Sequence, residues 1–168
     1  MVRIKFSFIS LAFLFCSLVQ AQIVHTVEDP EITFSIEIPE DWRVEDDGYN
    51  FVIVPPTGDY QLMEFTYYET SETDLEKAFE FTVLAFNDTT ELDTKILDRG
   101  DDTVNGVPAK WALTSYEIED QLLYRLVYLL IKDGQYYIFD GNSHPTNFDF
   151  YRPIFERTFR SLKTKKNL

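Results

Sequence analysis

The chain has 168 residues, with 29 acidic against 15 basic side chains and a net charge of −14. A field of that sign repels phosphate backbones and anionic bilayers, which argues against a nucleic-acid partner and against adhesion to a membrane surface. The only cysteine, Cys16, falls in an apolar run near the start, so no disulfide or zinc–thiolate frame is expected beyond it.

Met1, Arg3 and Lys5 precede an apolar run from Phe6 to Val19, and Val19-Gln20-Ala21 places compact side chains at a cleavage site. The pattern predicts a signal peptide over 1–21 and a mature domain over 22–168, exported to the periplasm or the extracellular space. A spanning helix needs about 20 apolar residues, whereas this run is shorter and stops at Gln20, so no membrane span is expected in the mature chain. Lipidation at Cys16 is the alternative, but Phe15 stands where such a site carries a small residue. Loss of Arg3 and Lys5 leaves 13 basic against 29 acidic residues, a charge of −16. The mature part retains 23 aromatic residues in 147; so many rings either fill a sheet–helix core or line a cavity for an apolar ligand.

Ile32, Phe34, Ile36 and Ile38 alternate with polar residues, the period of a half-buried strand, and Pro39 ends it. Pro39 to Trp42 reads as a turn into Arg43-Val44, and Glu45-Asp46-Asp47-Gly48 as a second turn before a strand over Phe51–Val54. Leu62–Tyr68 is a further strand. A helix is predicted from about Asp74 to Phe86, with Thr73 and Glu76 as a capping box and Leu75, Ala78, Phe79, Thr82, Val83 and Phe86 on its apolar face; Asn87-Asp88 closes it. Asn105-Gly106 and Asp133-Gly134 are two-residue hairpin signals, because both central residues of a type I′ turn need positive φ. Between them, Leu122–Ile131 is apolar on both faces except at Arg125, as in a central strand covered on both sides. Phe148 to Leu162 forms a final helix, with Pro153 placed in its first turn and Lys163, Lys165 and Lys166 trailing as a solvated tail.

In this order the signals resemble the PsbP-like family. Phe34-Ser35-Ile36-Glu37-Ile38-Pro39-Glu40-Asp41-Trp42 is similar to its opening strand, proline and tryptophan, and Asn105-Gly106-Val107-Pro108-Ala109 to the turn before its long central hairpin. Phe155 to Leu162 resembles its closing helix. The resemblance spans about Ile23 to Leu162 and implies an α+β fold, an antiparallel sheet flanked by helices on both faces as an α/β/α sandwich. The family includes PsbP, a photosystem II extrinsic subunit, the Ran-binding Mog proteins and the DcrB-like group of exported bacterial proteins. It implies an accessory role and not catalysis; it carries no particular partner or functional residue to this chain.

The chemistry-bearing residues are few. His25 and His144 are the only imidazoles, Ser143 and His144 are sequence neighbours that point apart on a strand, and no Gly-x-Ser-x-Gly occurs. Asp140, Asn142 and His144 would share one face of an extended segment and offer oxygen and nitrogen to a ligand or metal; the other reading is a polar loop into the last helix. The acidic groups Asp98-Asp101-Asp102 and Glu45-Asp46-Asp47 lack calcium-loop spacing. Arg125, alone in an apolar strand, must find a carboxylate or reach the sheet's edge. With residues 119 and 120 as the preceding turn, Thr114 lies opposite it, so the expected partner is a helix carboxylate, or else Arg125 anchors an anionic ligand. Asn87-Asp88-Thr89 fits a glycosylation acceptor. The reading is a non-catalytic extracytoplasmic accessory or binding protein that docks a protein, envelope component or small ligand, with no cofactor. Arg125, Asp140, Asn142 and His144 are its candidate ligand-binding residues. The alternatives are an extracytoplasmic hydrolase and a carrier with an aromatic-lined cavity.

Overall fold

The computed structural model describes residues 21–28, 32–46, 50–56, 61–90 and 93–166; the predicted export segment before Ala21 lies outside them. Ten strands and two helices follow in the order β1 (Gln22–Glu28), β2 (Ile32–Pro39), β3 (Arg43–Asp46), β4 (Asn50–Val54), β5 (Leu62–Glu69), α1 (Leu75–Thr90), β6 (Lys95–Val104), β7 (Val107–Ile118), β8 (Gln121–Lys132), β9 (Gln135–Ser143), α2 (Pro145–Arg160) and β10 (Lys163–Lys166). They make an antiparallel seven-stranded sheet, β3-β4-β5-β9-β8-β7-β6, and a three-stranded one, β1-β2-β10.

Three tight hairpins set the register of β6 to β9. Asn105-Gly106, Glu119-Asp120 and Asp133-Gly134 all hold positive φ, from 48° to 82°, so each turn matches the twist of its strands. β8 is thereby interior, bonded to β7 on one side and β9 on the other. Its side chains alternate between two apolar clusters. Leu126, Tyr128 and Leu130 pack with Phe155 and Phe159 of α2 and with Phe34 and Ile36 of β2. Val127 and Leu129 pack with Ala78, Phe79 and Val83 of α1 and with Ala112 of β7. In the first cluster the rings lie on one another: Phe34 contacts Phe51, Phe65, Tyr67 and Tyr137, and Tyr128 stacks on Phe159 at 4.5 Å. Gly141 of β9 gives the Phe155 ring its seat, because a Cβ there would stand 2.5 Å from two of its carbons.

Several local expectations change. Asp74, not Thr73, caps α1: its Oδ1 accepts from the Lys77 amide at 3.1 Å, while Glu72 Oε1 takes the amides of Thr73 and Asp74 at 3.0 Å. The acidic run Glu72-Thr73-Asp74 offers overlapping caps, and the one nearest Leu75 is used. The helix also runs past Asn87-Asp88 to Thr90. In α2, Pro145 takes the first turn and Pro153 sits in the interior. The lysine tail is a strand: Lys163 to Lys166 pair with Ser35 to Ile32 of β2, with Lys163 and Lys165 outward, a basic pattern that suits an edge strand. β6, which the acidic cluster Asp98-Asp101-Asp102 obscures in the sequence, is the far edge of the large sheet, with a bulge between Ile96 and Asp98.

Candidate functional site

Two polar constellations stand out. The first lies on the face of the large sheet that α1 packs against, one residue pair beyond Val127. Arg125, 4% exposed, donates through Nε to Asp140 Oδ1. The register sets Asn142 directly opposite Arg125 and Asp140 diagonal to it, so the ion pair bridges β8 and β9. Thr114 is opposite on β7, as the turn at 119 and 120 requires. Beside it, Tyr116 donates its hydroxyl to Asn142 Oδ1 at 3.0 Å. Burial raises the Tyr116 phenol above its usual range, with the Arg125 charge opposing and the Asp140 charge adding to the rise. The partner of Arg125 is thus a strand carboxylate and not a helix one; the Asp133-Gly134 turn sets Asn142 opposite Arg125, and Asp140, one pair away, is the diagonal neighbour that the expectation of a helix carboxylate passed over.

His144 lies outside this constellation. β9 ends at Ser143, and His144 is the N-cap of α2, its Nδ1 accepting from the Thr146 amide at 3.3 Å and lying 2.8 Å from Thr146 Oγ1. Asp140 and Asn142 therefore share a face while the imidazole serves the helix. Ser143 is fully buried and turns its hydroxyl to the His144 carbonyl. His25 in β1 lays its ring against Phe51 at 5.7 Å. Among the described residues, no three His, Cys, Asp or Glu side chains converge as a metal would require.

The second constellation is a cleft where the β6–β7 turn, the end of α2 and β10 meet. Its inner part, about 170 Å³, is walled by Val104, Val107, Leu130 and Leu162, with Lys132, Lys163 and Thr164 at its margin. An outer groove of about 550 Å³ continues past Arg157, Arg160 and Ser161 to Glu37 and Glu156. Asn105 and Lys163 border both. The positive φ of Asn105 turns its side chain to donate to the Leu162 carbonyl at 2.7 Å, tying the hairpin tip to the start of β10. Arg160 is held by Asp102 at 2.9 Å and Glu156 at 3.1 Å, and Lys163 lies 3.9 Å from Glu37. Ser161 Oγ accepts from the Glu37 amide at 2.7 Å and donates to the Thr158 carbonyl at 2.6 Å. One clue to this cleft is legible in the sequence, the Asn-Gly turn; its basic margin is hidden in what reads as a loose tail.

Neither a family profile nor a curated protein matches the chain by sequence. Solved structures do match by shape. The cyanobacterial PsbP of Synechocystis superposes with a TM-score of 0.67 over 89% of this chain and 97% of its own, at 12% identity. The fold is PsbP-like. LpqN of Mycobacterium tuberculosis, described as involved in cell envelope biogenesis, matches with a TM-score of 0.57 over 86% and 91% at 15% identity. A Pseudomonas aeruginosa protein of unknown function, PA94, matches at 0.51 over 83% and 94% with 16% identity. At these identities the PsbP-like likeness fixes architecture and transfers no residue role. Among the described residues, no helix is long and apolar enough to cross a membrane.

Proposed function

We propose that this chain is an exported, non-catalytic accessory or binding protein: one PsbP-like domain over 22–168, released by cleavage after Ala21, with α1 and α2 on opposite faces of the large sheet. The alternating service of β8 to the two helices supports that layering, and the envelope-related LpqN supports the location. One observation carries the functional part. The serine and histidine groups clustered at the ends of β9 and α2 are committed to structure: His144 caps a helix, Ser143 is buried on a carbonyl, and Ser161 is held between an amide and a carbonyl. The aromatic residues likewise stack on each other in the core, which favours a packed interior over a carrier's cavity.

The test joins two measurements on protein exported by its host. Intact mass should give Gln22 as the first residue, and a panel of ester, peptide and glycoside substrates should show no turnover. His144→Ala should lower stability by about 1 kcal/mol, the usual cost of losing a cap, and do nothing else. Turnover that His144→Ala abolishes while the fold persists would reject the reading.

A further inference from the structure

The cleft at the end of α2 concentrates positive charge on a chain whose net charge is −14. Four cations, Lys132, Lys163, Arg157 and Arg160, line it against two carboxylates, Glu37 and Glu156. Arg160 is spent on Asp102 and Glu156, but Lys132 and Arg157 have no carboxylate partner among the described residues, and Lys163 has only the loose contact with Glu37. Lys132 and Lys163 border an apolar recess, and Arg157 lines the outer groove that Lys163 shares with it. The recess volume of about 170 Å³ can be set against an engineered aliphatic cavity of about 150 Å³ that binds benzene. Thr164 at the recess margin buries its Oγ1 without a hydrogen-bond partner among the described residues, a hydroxyl still able to donate to an acceptor.

We propose that this cleft binds a small carboxylate carrying one ring-sized apolar group, the ring in the recess of Val104, Val107, Leu130 and Leu162 and the carboxylate at Lys132 and Lys163 on its border. The inference deepens the binding-protein reading and rests on it. An apolar pocket with a few convergent polar groups is the usual form of a small-molecule site. Here the neutral walls supply affinity and the lysines supply the sign. A cation is rejected by the rim, and an uncharged aromatic gains only the recess. The Asn105–Leu162 tie fixes the width of the recess between the hairpin tip and β10.

The experiment titrates 3-phenylpropanoate, 3-phenylpropan-1-ol and propanoate into the exported protein at low salt, followed by methyl NMR. The expected result is saturable shifts at Val104, Val107, Leu130 and Leu162 with 3-phenylpropanoate, about tenfold tighter than the alcohol, since a charge-assisted hydrogen bond is worth about that factor, and at least about tenfold tighter than propanoate, which has no ring to bury. Lys132→Gln and Lys163→Gln should each weaken the carboxylate about threefold, as exposed ion pairs do, and leave the alcohol unchanged. Val107→Trp should fill the recess and abolish binding while the far-UV spectrum is retained. Equal affinity for the alcohol, shifts mapping elsewhere, or indifference to both lysine changes would overturn the proposal. Absence of binding together with a silent hydrolase panel rejects this ligand class and leaves the binding-protein reading standing.

Discussion

Gly141→Ala tests how α2 is seated on the large sheet. The added methyl would stand 2.5 Å from Cδ2 and Cγ of Phe155 and 3.0 Å from its Cε2, against an optimum of about 3.5–4.0 Å between carbons. Phe155 has no free direction: it is fully buried, stacked on Tyr151 at 6.0 Å and in contact with Phe139 at 6.4 Å. Overpacking of this kind costs about 1–3 kcal/mol. From that is subtracted the about 0.5–1 kcal/mol by which alanine is better than glycine within a strand. With a contact as close as 2.5 Å putting the overpacking in the upper half of its range, the net loss should be about 1–2.5 kcal/mol, or a fall in Tm of about 3–8 °C for a chain of this size. Urea unfolding followed by tryptophan fluorescence gives the number, with an unchanged slope showing that the unfolded state is not the cause. In a Phe155→Leu background the same change should cost almost nothing, a coupling of about 1 kcal/mol or more. Gly100→Ala is the control, because its methyl meets the half-exposed Trp111 ring at 3.0 Å, which can shift. If Gly141→Ala is neutral, or costs the same without the phenylalanine ring, the seating argument is wrong.

Two further outcomes follow from the ion pairs. Arg125→Met leaves Asp140 charged in a mostly buried place and should cost about 3–5 kcal/mol, whereas Arg125→Met with Asp140→Leu should recover most of it; equal losses in single and double variants would show that the pair does not act as a unit. At the start of α1, the Lys77 ammonium and the amides of Asp74 and Thr73 hold the Glu72 carboxyl down to about 2 from its ordinary 4.5. A depressed carboxylate favours the fold above its ordinary value and loses that effect as pH falls from about 4.5 towards 2. A carboxyl-carbon NMR titration should place its midpoint near 2, and Glu72→Gln should flatten the stability profile in that interval; a midpoint at the ordinary value would contradict the capping geometry.

How far the sequence reaches depends on the range of the signal. The interior placement of β8 is legible because hairpin turns on either side leave no alternative to pairing with both neighbours. The partner of Arg125 is less so: the Asp133-Gly134 turn puts Asn142 opposite it, but nothing local singles out the diagonal Asp140 from a carboxylate on a helix above the sheet. Caps are ambiguous for a different reason: Glu72, Thr73 and Asp74 are all competent, and one residue of helix length decides among them. His144 reads as a ligand in an extended segment and as a cap once Pro145 begins a helix. The edge strands β1, β6 and β10 are the least visible, since exposed edges are rich in charge and lack the apolar alternation that betrays a strand. The cleft inherits that difficulty, because β10 forms one of its walls.

The small sheet has a consequence for the order of assembly. β2 lies between β1, its neighbour in sequence, and β10, whose Thr164 pairs with Phe34. The β6–β9 hairpins can zip from two-residue turns, on the order of microseconds each. Joining β10 to β2 instead closes a loop of well over a hundred residues, an entropic cost of about 4 kcal/mol that only a preformed platform can offset. The large sheet and α2 must therefore be in place before β10 docks, and β10 should be the first strand to leave. The wall of the cleft that carries Lys163 and Thr164 is then the last piece of the molecule to be made and the most easily opened.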